Sequence, residues 1–199
     1  MNDSEGETAV RYARHVIEST VRNGSYDQPG EKLPKIFEEK SGVFVTILRF
    51  PSHELRGCIG FPEPVYPLRL ALLNAAVEAA ISDPRFSPVE ENELPAITIE
   101  VSVLTPPEPV QSSTPWELPG KIMVGRDGII VERGRFRGLL LPQVAVEEGW
   151  DSEEFLSQTC WKAGLPEDAW RYSGIRVYRF GAELFSEEEP NGKVTRKIL

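Results

Sequence analysis

The sequence is poor in the residues that do most metal and redox chemistry: its 199 residues hold two cysteines, two histidines and two methionines. With so few ligands, and with Cys58 and Cys160 far apart, neither a Cys/His zinc site nor a disulfide framework is expected. Positive charge is also short. Lys and Arg total 22 against 31 Asp and Glu, a formal charge of −9, which disfavours nucleic acid as the main partner. No apolar run approaches the length of a membrane span. The opening Met1-Asn2-Asp3-Ser4-Glu5 lacks the basic and then apolar pattern of a secretory signal, so a cytoplasmic location is expected. What is present, 40% hydrophobic and 27% charged residues, is the make-up of an ordinary globular protein with room for a core.

Ser4 followed three residues later by Glu7 reads as a capping box. The helix it would start has Ala9, Val10, Ala13, Val16, Ile17, Thr20 and Val21 at helical spacing and stops at Gly24. Tyr26 to Pro34 is turn-rich. Gly42 to Leu48 is a continuous β-branched and apolar run, the pattern of a strand covered on both faces, and Leu55 to Phe61 reads as a second strand paired with it across a turn at Arg49 to Glu54. Leu68 to Ser82 is rich in Ala and Leu and predicts a largely buried helix ended by Asp83-Pro84. Ala96 to Thr105 alternates as a strand with one wet face, and the five prolines between Pro106 and Pro119 read as a connector. Beyond it, Ile122–Val124 and Ile129–Val131 predict a hairpin through Arg126-Asp127-Gly128, with Phe136 to Leu141 as a third strand. Asp151 and Glu154 predict another helix start, Ile175 to Phe180 a final strand, and the remainder a charged tail.

One stretch departs from this ordinary patterning. Leu55-Arg56-Gly57-Cys58-Ile59-Gly60 sets a cysteine between two glycines inside a strand, where glycine is unfavourable without a reason. A functional reason is close approach of the backbone to a ligand, with Arg56 supplying an electropositive setting for a Cys58 thiolate; the structural one is a small buried thiol in a bulged strand.

This hexapeptide resembles the signature of the AMMECR domain family. Agreement continues through Gly42-Val43-Phe44-Val45-Thr46, Asp83-Pro84-Arg85-Phe86, Glu93-Leu94-Pro95, Leu141-Pro142-Gln143-Val144-Ala145, Gly149-Trp150-Asp151 and Lys162-Ala163-Gly164, nearly the whole chain. The resemblance implies an α+β fold with an antiparallel sheet, flanking helices and two unequal subdomains around a groove that holds the hexapeptide. The larger subdomain is expected to cover roughly 1–105 plus part of the C-terminal region, and the smaller to lie mainly within 106–170. The family has no settled reaction. In some bacteria the domain is fused to Memo-type and radical-SAM domains, which implies those partners and a modification pathway; without a cluster-binding cysteine triplet this chain is not itself a radical-SAM component.

The candidate catalytic residue is therefore Cys58, and the candidate ligand-binding residues are Arg56, Gly57, Gly60, Arg85 and Gln143. Arg85 could clamp an anion through its fork, and Gln143 offers an amide that both donates and accepts. His53 in a turn and His15 on the first helix are the available bases for a Cys–His pair, but a surface histidine is the simpler reading of each. Asp83 reads as a helix-end partner of Arg85, Glu100 as solvent-facing, Cys160 as core, and Trp116, Trp150, Trp161 and Trp170 as walls of the small subdomain. Two functions follow: a cysteine-containing site that binds or modifies a small anionic molecule or peptide, and a non-catalytic interaction module in which Arg56 to Gly60 only shape the fold. No metal site is expected, and the residues single out no cofactor.

Overall fold

A computed structural model describes residues 1–26 and 33–197; most of the turn expected between Tyr26 and Pro34 lies outside them. The fold is α+β. Its two compact units are Met1–Leu104 together with residues 183–197, and Thr105–Ala182.

The first unit packs two helices on a five-stranded sheet. Helix α1 spans Asp3–Asn23 and ends at Gly24, whose φ of 67° is the left-handed stop its sequence predicts. Its start is two residues earlier than expected. Asn2 is the cap, its side chain accepting from the Glu5 amide while Glu5 reaches back to the Asn2 amide. Strand β1 (Val43–Arg49) pairs with β2 (Leu55–Phe61), and α2 (Leu68–Ile81) lies against both. Alternation along β1 turns Val43, Val45 and Ile47, all fully buried, toward the helices and leaves Phe44, Thr46 and Leu48 on the opposite face. Burying each such aliphatic side chain is worth roughly 1.5–3 kcal/mol.

Strand β3 (Ile97–Leu104) completes the centre, but not with the wet face its alternation suggested. Thr98 and Ser102 are buried and Glu100 is half-buried. The expected charged tail forms two more strands, β8 (Ala182–Glu187) and β9 (Val194–Lys197), giving the order β2-β1-β3-β8-β9. Their charges are internally matched, which is why a polar sequence can pair here. Glu187, 2% exposed, takes Arg14 Nε at 2.6 Å and the Ile99 amide at 3.0 Å, tying α1 to the sheet, while Glu183 pairs with the N-terminal amine and Arg196.

The second unit is a four-stranded sheet in the order β4-β7-β5-β6, from β4 (Glu108–Pro109), β5 (Gly128–Arg133), β6 (Phe136–Leu140) and β7 (Arg176–Phe180). Its core gathers Ile129, Val131, Phe155, Leu156, Cys160 and Trp170, with α3 (Pro142–Glu147) and α4 (Ser152–Lys162) contributing. The hairpin joins β5 to β6 through Gly134 at φ 59°, not 122–124 to 129–131. Asp127 explains the shift. Its carboxylate accepts the Met123 amide and both inner donors of Arg126, closing Met123–Asp127 into a turn ahead of the sheet. Asp151 caps α4 as expected, accepting the Glu154 amide. Of the four tryptophans only Trp170 is fully buried; Trp116 and Trp161 are exposed.

Candidate functional site

The hexapeptide occupies β2, which is the edge of the five-stranded sheet. Pairing with β1 runs Thr46 against Cys58 and Phe44 against Gly60, with a bulge between Ile47 and Leu48. Arg56 is the extra residue of this bulge, and its side chain is buried. Arg56 is 3% exposed: Nε and Nη2 bind Glu93 at 2.8 Å, and Nη1 and Nη2 donate to the carbonyls of Ser87 and Pro88. These bonds hold the Glu93 carboxyl down at about 2.

Both glycines answer to packing. A Cβ on Gly57 would stand 2.4 Å from the Ala79 carbonyl of α2, and one on Gly60 would meet the Phe44 ring at 2.2 Å and the Val43 carbonyl at 2.6 Å. The sequence suggested approach of the backbone to a ligand; the groups found against Gly57 and Gly60 are the protein's own Ala79 carbonyl and Phe44 ring. Arg56 likewise is not the cation beside the thiol; that role falls to Arg85.

At Cys58 the free sheet edge is closed by two side chains. The Cys58 amide donates to Asp83 Oδ2 at 2.8 Å, and its carbonyl accepts Arg85 Nη2 at 3.0 Å. Asp83 and Arg85 thus replace the missing neighbouring strand. Asp83, 4% exposed, also receives Arg85 Nε at 2.9 Å and Nη2 at 2.7 Å. The guanidinium drives its carboxyl far below the ordinary range. Arg85 is fixed by this buried partner and by the Phe86 ring, yet its side chain is half exposed and its Nη1 makes no hydrogen bond to an oxygen among the described residues.

The thiol projects on the face opposite the helices. Thr46 Oγ1 donates to Cys58 Sγ at 3.3 Å, and Thr46 is flanked on its other side by Glu100 of β3. Adjacent cross-strand partners lie ~4.5–5.5 Å apart between Cα atoms, so Cys58 and Glu100 bracket Thr46 at about 10 Å. Burial pushes the Cys58 thiol above its ordinary pKa, opposed by the Thr46 hydroxyl and by Arg85. Burial raises Glu100 too, with Lys197 opposing, and Glu100 makes no ion pair or hydrogen bond among the described residues. The row therefore carries a hydroxyl between a thiol and a carboxyl whose ionised forms burial disfavours.

Neither histidine joins it. His53 is exposed in the β1–β2 turn at φ 59°, and His15 is exposed on α1. Gln143 belongs to the second unit, on α3, where its Oε1 is buried without a hydrogen-bond partner. Thr46 and Glu100 were missed from sequence as a pair. Each is a polar position in an apolar strand, but only the register of three strands aligns them with Cys58. No cluster of three or more His, Cys, Asp or Glu able to hold a metal occurs among the described residues, nor is any helix there long and apolar enough to cross a membrane.

A two-sheet α+β chain with this edge motif defines a class already known from sequence and structure. Residues 10–185 match the AMMECR1 family. The chain is 58% identical to a protein of Thermococcus gammatolerans, covering 100% of this chain and 98% of that one. It is 52% identical to one of Methanocaldococcus jannaschii, covering 98% and 96%. An uncharacterised protein of Pyrococcus horikoshii, solved by crystallography, superposes with a TM-score of 0.87 at 52% identity over 100% of this chain and 99% of that one. The chain belongs to the AMMECR1 family.

Proposed function

We propose that the surface at Cys58 handles a small anionic molecule or an anionic group on a peptide, anchored by Arg85, with the thiol as the reactive neighbour. The observation that carries this reading is the Arg85 fork. A buried carboxylate orients it, one edge is spent on Asp83 and the Cys58 carbonyl, and Nη1, beside a thiol, makes no hydrogen bond to an oxygen among the described residues. An arginine held in this way loses little freedom on gripping an oxyanion. Thr46 and Glu100 would then meet the remainder of the ligand, Glu100 as a proton carrier once ionised.

The second reading is a non-catalytic interaction module, and one set of facts favours it: Arg56, Gly57 and Gly60 are all consumed by internal contacts. Partner proteins of the Memo and radical-SAM types, and a cytoplasmic setting, accompany either reading as proposals from the family resemblance.

Competing alkylating agents separate the two. Iodoacetate carries a carboxylate and iodoacetamide does not. If Arg85 anchors anions, the iodoacetate-to-iodoacetamide rate ratio at Cys58 falls several-fold in Arg85→Gln, while the ratio at Cys160 is unchanged. An equal ratio in both proteins at Cys58 contradicts the anchor and favours the interaction module.

A further inference from the structure

The second unit repeats the arrangement that makes Arg85 an anchor, this time beside a cavity. Asp127, 5% exposed, accepts the Met123 amide at 2.9 Å and binds Arg126 through Nε and Nη2, each at 2.7 Å. Asp83 does the same with the Cys58 amide and Arg85. In both, a buried carboxylate takes main-chain amides, that of Met123 at Asp127 and those of Cys58 and Arg85 at Asp83, together with the inner edge of a guanidinium, and Nη1 makes no hydrogen bond to an oxygen among the described residues. Arg126 is half exposed and borders a cavity of about 270 Å³, with Arg179 of β7 on its lining, together with Pro106, Glu108 and Phe180.

Arg179 is held loosely. Its one ion pair among the described residues is with Glu108 at 3.8 Å, beyond hydrogen-bond distance, and that carboxylate is 72% exposed. A pair so exposed and so long contributes little and separates readily. Asp127, by contrast, is buried and accepts three donors. The cavity therefore presents two guanidinium groups with unused donors, one negative charge paired with Arg126 and one that can swing into water.

The geometry points to a binding site for a phosphate group of a small molecule between Arg126 and Arg179, with Glu108 as the displaceable occupant of the Arg179 fork. Two guanidinium groups suit a tetrahedral dianion better than a single carboxylate, because they can bind different oxygens of one group. The cavity volume is just below the ~300–1,000 Å³ of sites for drug-sized ligands, which limits the occupant to inorganic phosphate or a compact phosphomonoester. The site lies wholly in the second unit and owes nothing to Cys58.

The test is a titration of the full-length ¹⁵N-labelled protein with inorganic phosphate, and separately with glycerol phosphate, at constant ionic strength, following the Arg Nε–H and backbone resonances by NMR. The expected result is saturable shifts at Arg126 and Arg179. Affinity should fall roughly tenfold or more in Arg179→Gln, the loss of a charge-assisted contact. Glu108→Gln, which removes the competing carboxylate, should bind more tightly. Binding should also strengthen as pH rises through ~6, where a phosphate monoester loses its second proton. Tighter binding of glycerol phosphate assigns the cavity to monoesters, and equal binding assigns it to the free ion. Shifts that never saturate, that persist in Arg179→Gln, or that weaken in Glu108→Gln would overturn the assignment.

Discussion

The two cysteines show how differently one side chain can be set. Cys160 sits on α4 in the core of the second unit, fully buried among Phe155, Leu156 and Trp170, and burial pushes its thiol up to about 11. Cys58 is half-buried on an edge strand, and although burial raises its pKa as well, a hydroxyl and a cation pull the other way. Packing alone accounts for Cys160. For Cys58 it does not, because a strand edge sealed by Asp83 and Arg85 and a thiol that accepts from Thr46 exceed what filling space requires. The reactivity proposed for Cys58 rests on the groups around the thiol more than on its depth.

Removing Asp83 should break the contrast most severely. Asp83→Ala leaves the Cys58 amide without its acceptor and Arg85 without its partner, an expected loss of about 3 kcal/mol in denaturant unfolding; a loss under ~1 kcal/mol would show the edge seal to be dispensable. Serine replacements sharpen the comparison. Cys160→Ser places a hydroxyl in an apolar core and should cost about 2 kcal/mol, whereas Cys58→Ser, beside Thr46 and partly wet, should cost under ~1 kcal/mol. Equal costs would mean that both cysteines are packing residues.

A further variant tests Arg56, the residue first placed beside the thiol. Glu93 has a folded pKa lowered to about 2 from an ordinary value of 4.5, so its pairing with Arg56 stabilises the fold above pH ~4.5 and loses that contribution as pH falls toward 2. Glu93→Gln should cost about 2–3 kcal/mol at neutral pH and flatten the acid dependence in that window. Cys58 labelling at neutral pH should remain as in the parent protein, since Arg56 is not its cation.

Much of the fold was legible because periodicity reports burial. The α1 pattern, the Gly24 stop, β1 with β2, and α2 all stand within a residue or two of their expected places. What was not legible depended on distant partners. Glu183 and Glu187 look like tail residues until Arg196 and Arg14 are found beside them, so β8 and β9 were hidden. Asp127 looked like a hairpin turn because its side-chain acceptor role is invisible in sequence. At the candidate site, the hexapeptide drew attention to the right strand, yet Gly57 and Gly60 are explained by Ala79 and Phe44, residues brought there by α2 and β1. Thr46 and Glu100 needed the cross-strand register.

The central proposal is that Cys58, unlike Cys160, is a chemically available thiol tuned by Arg85. It is tested most directly by the pH dependence of iodoacetamide alkylation of the folded protein, with the two cysteines resolved by mass spectrometry, in the parent chain and in Arg85→Gln. The account predicts that Cys58 reacts first, with an apparent pKa above the ordinary thiol value but below that of Cys160, and that Arg85→Gln moves it higher still. Labelling of both cysteines only after denaturation, or a Cys58 profile indifferent to Arg85, would contradict it.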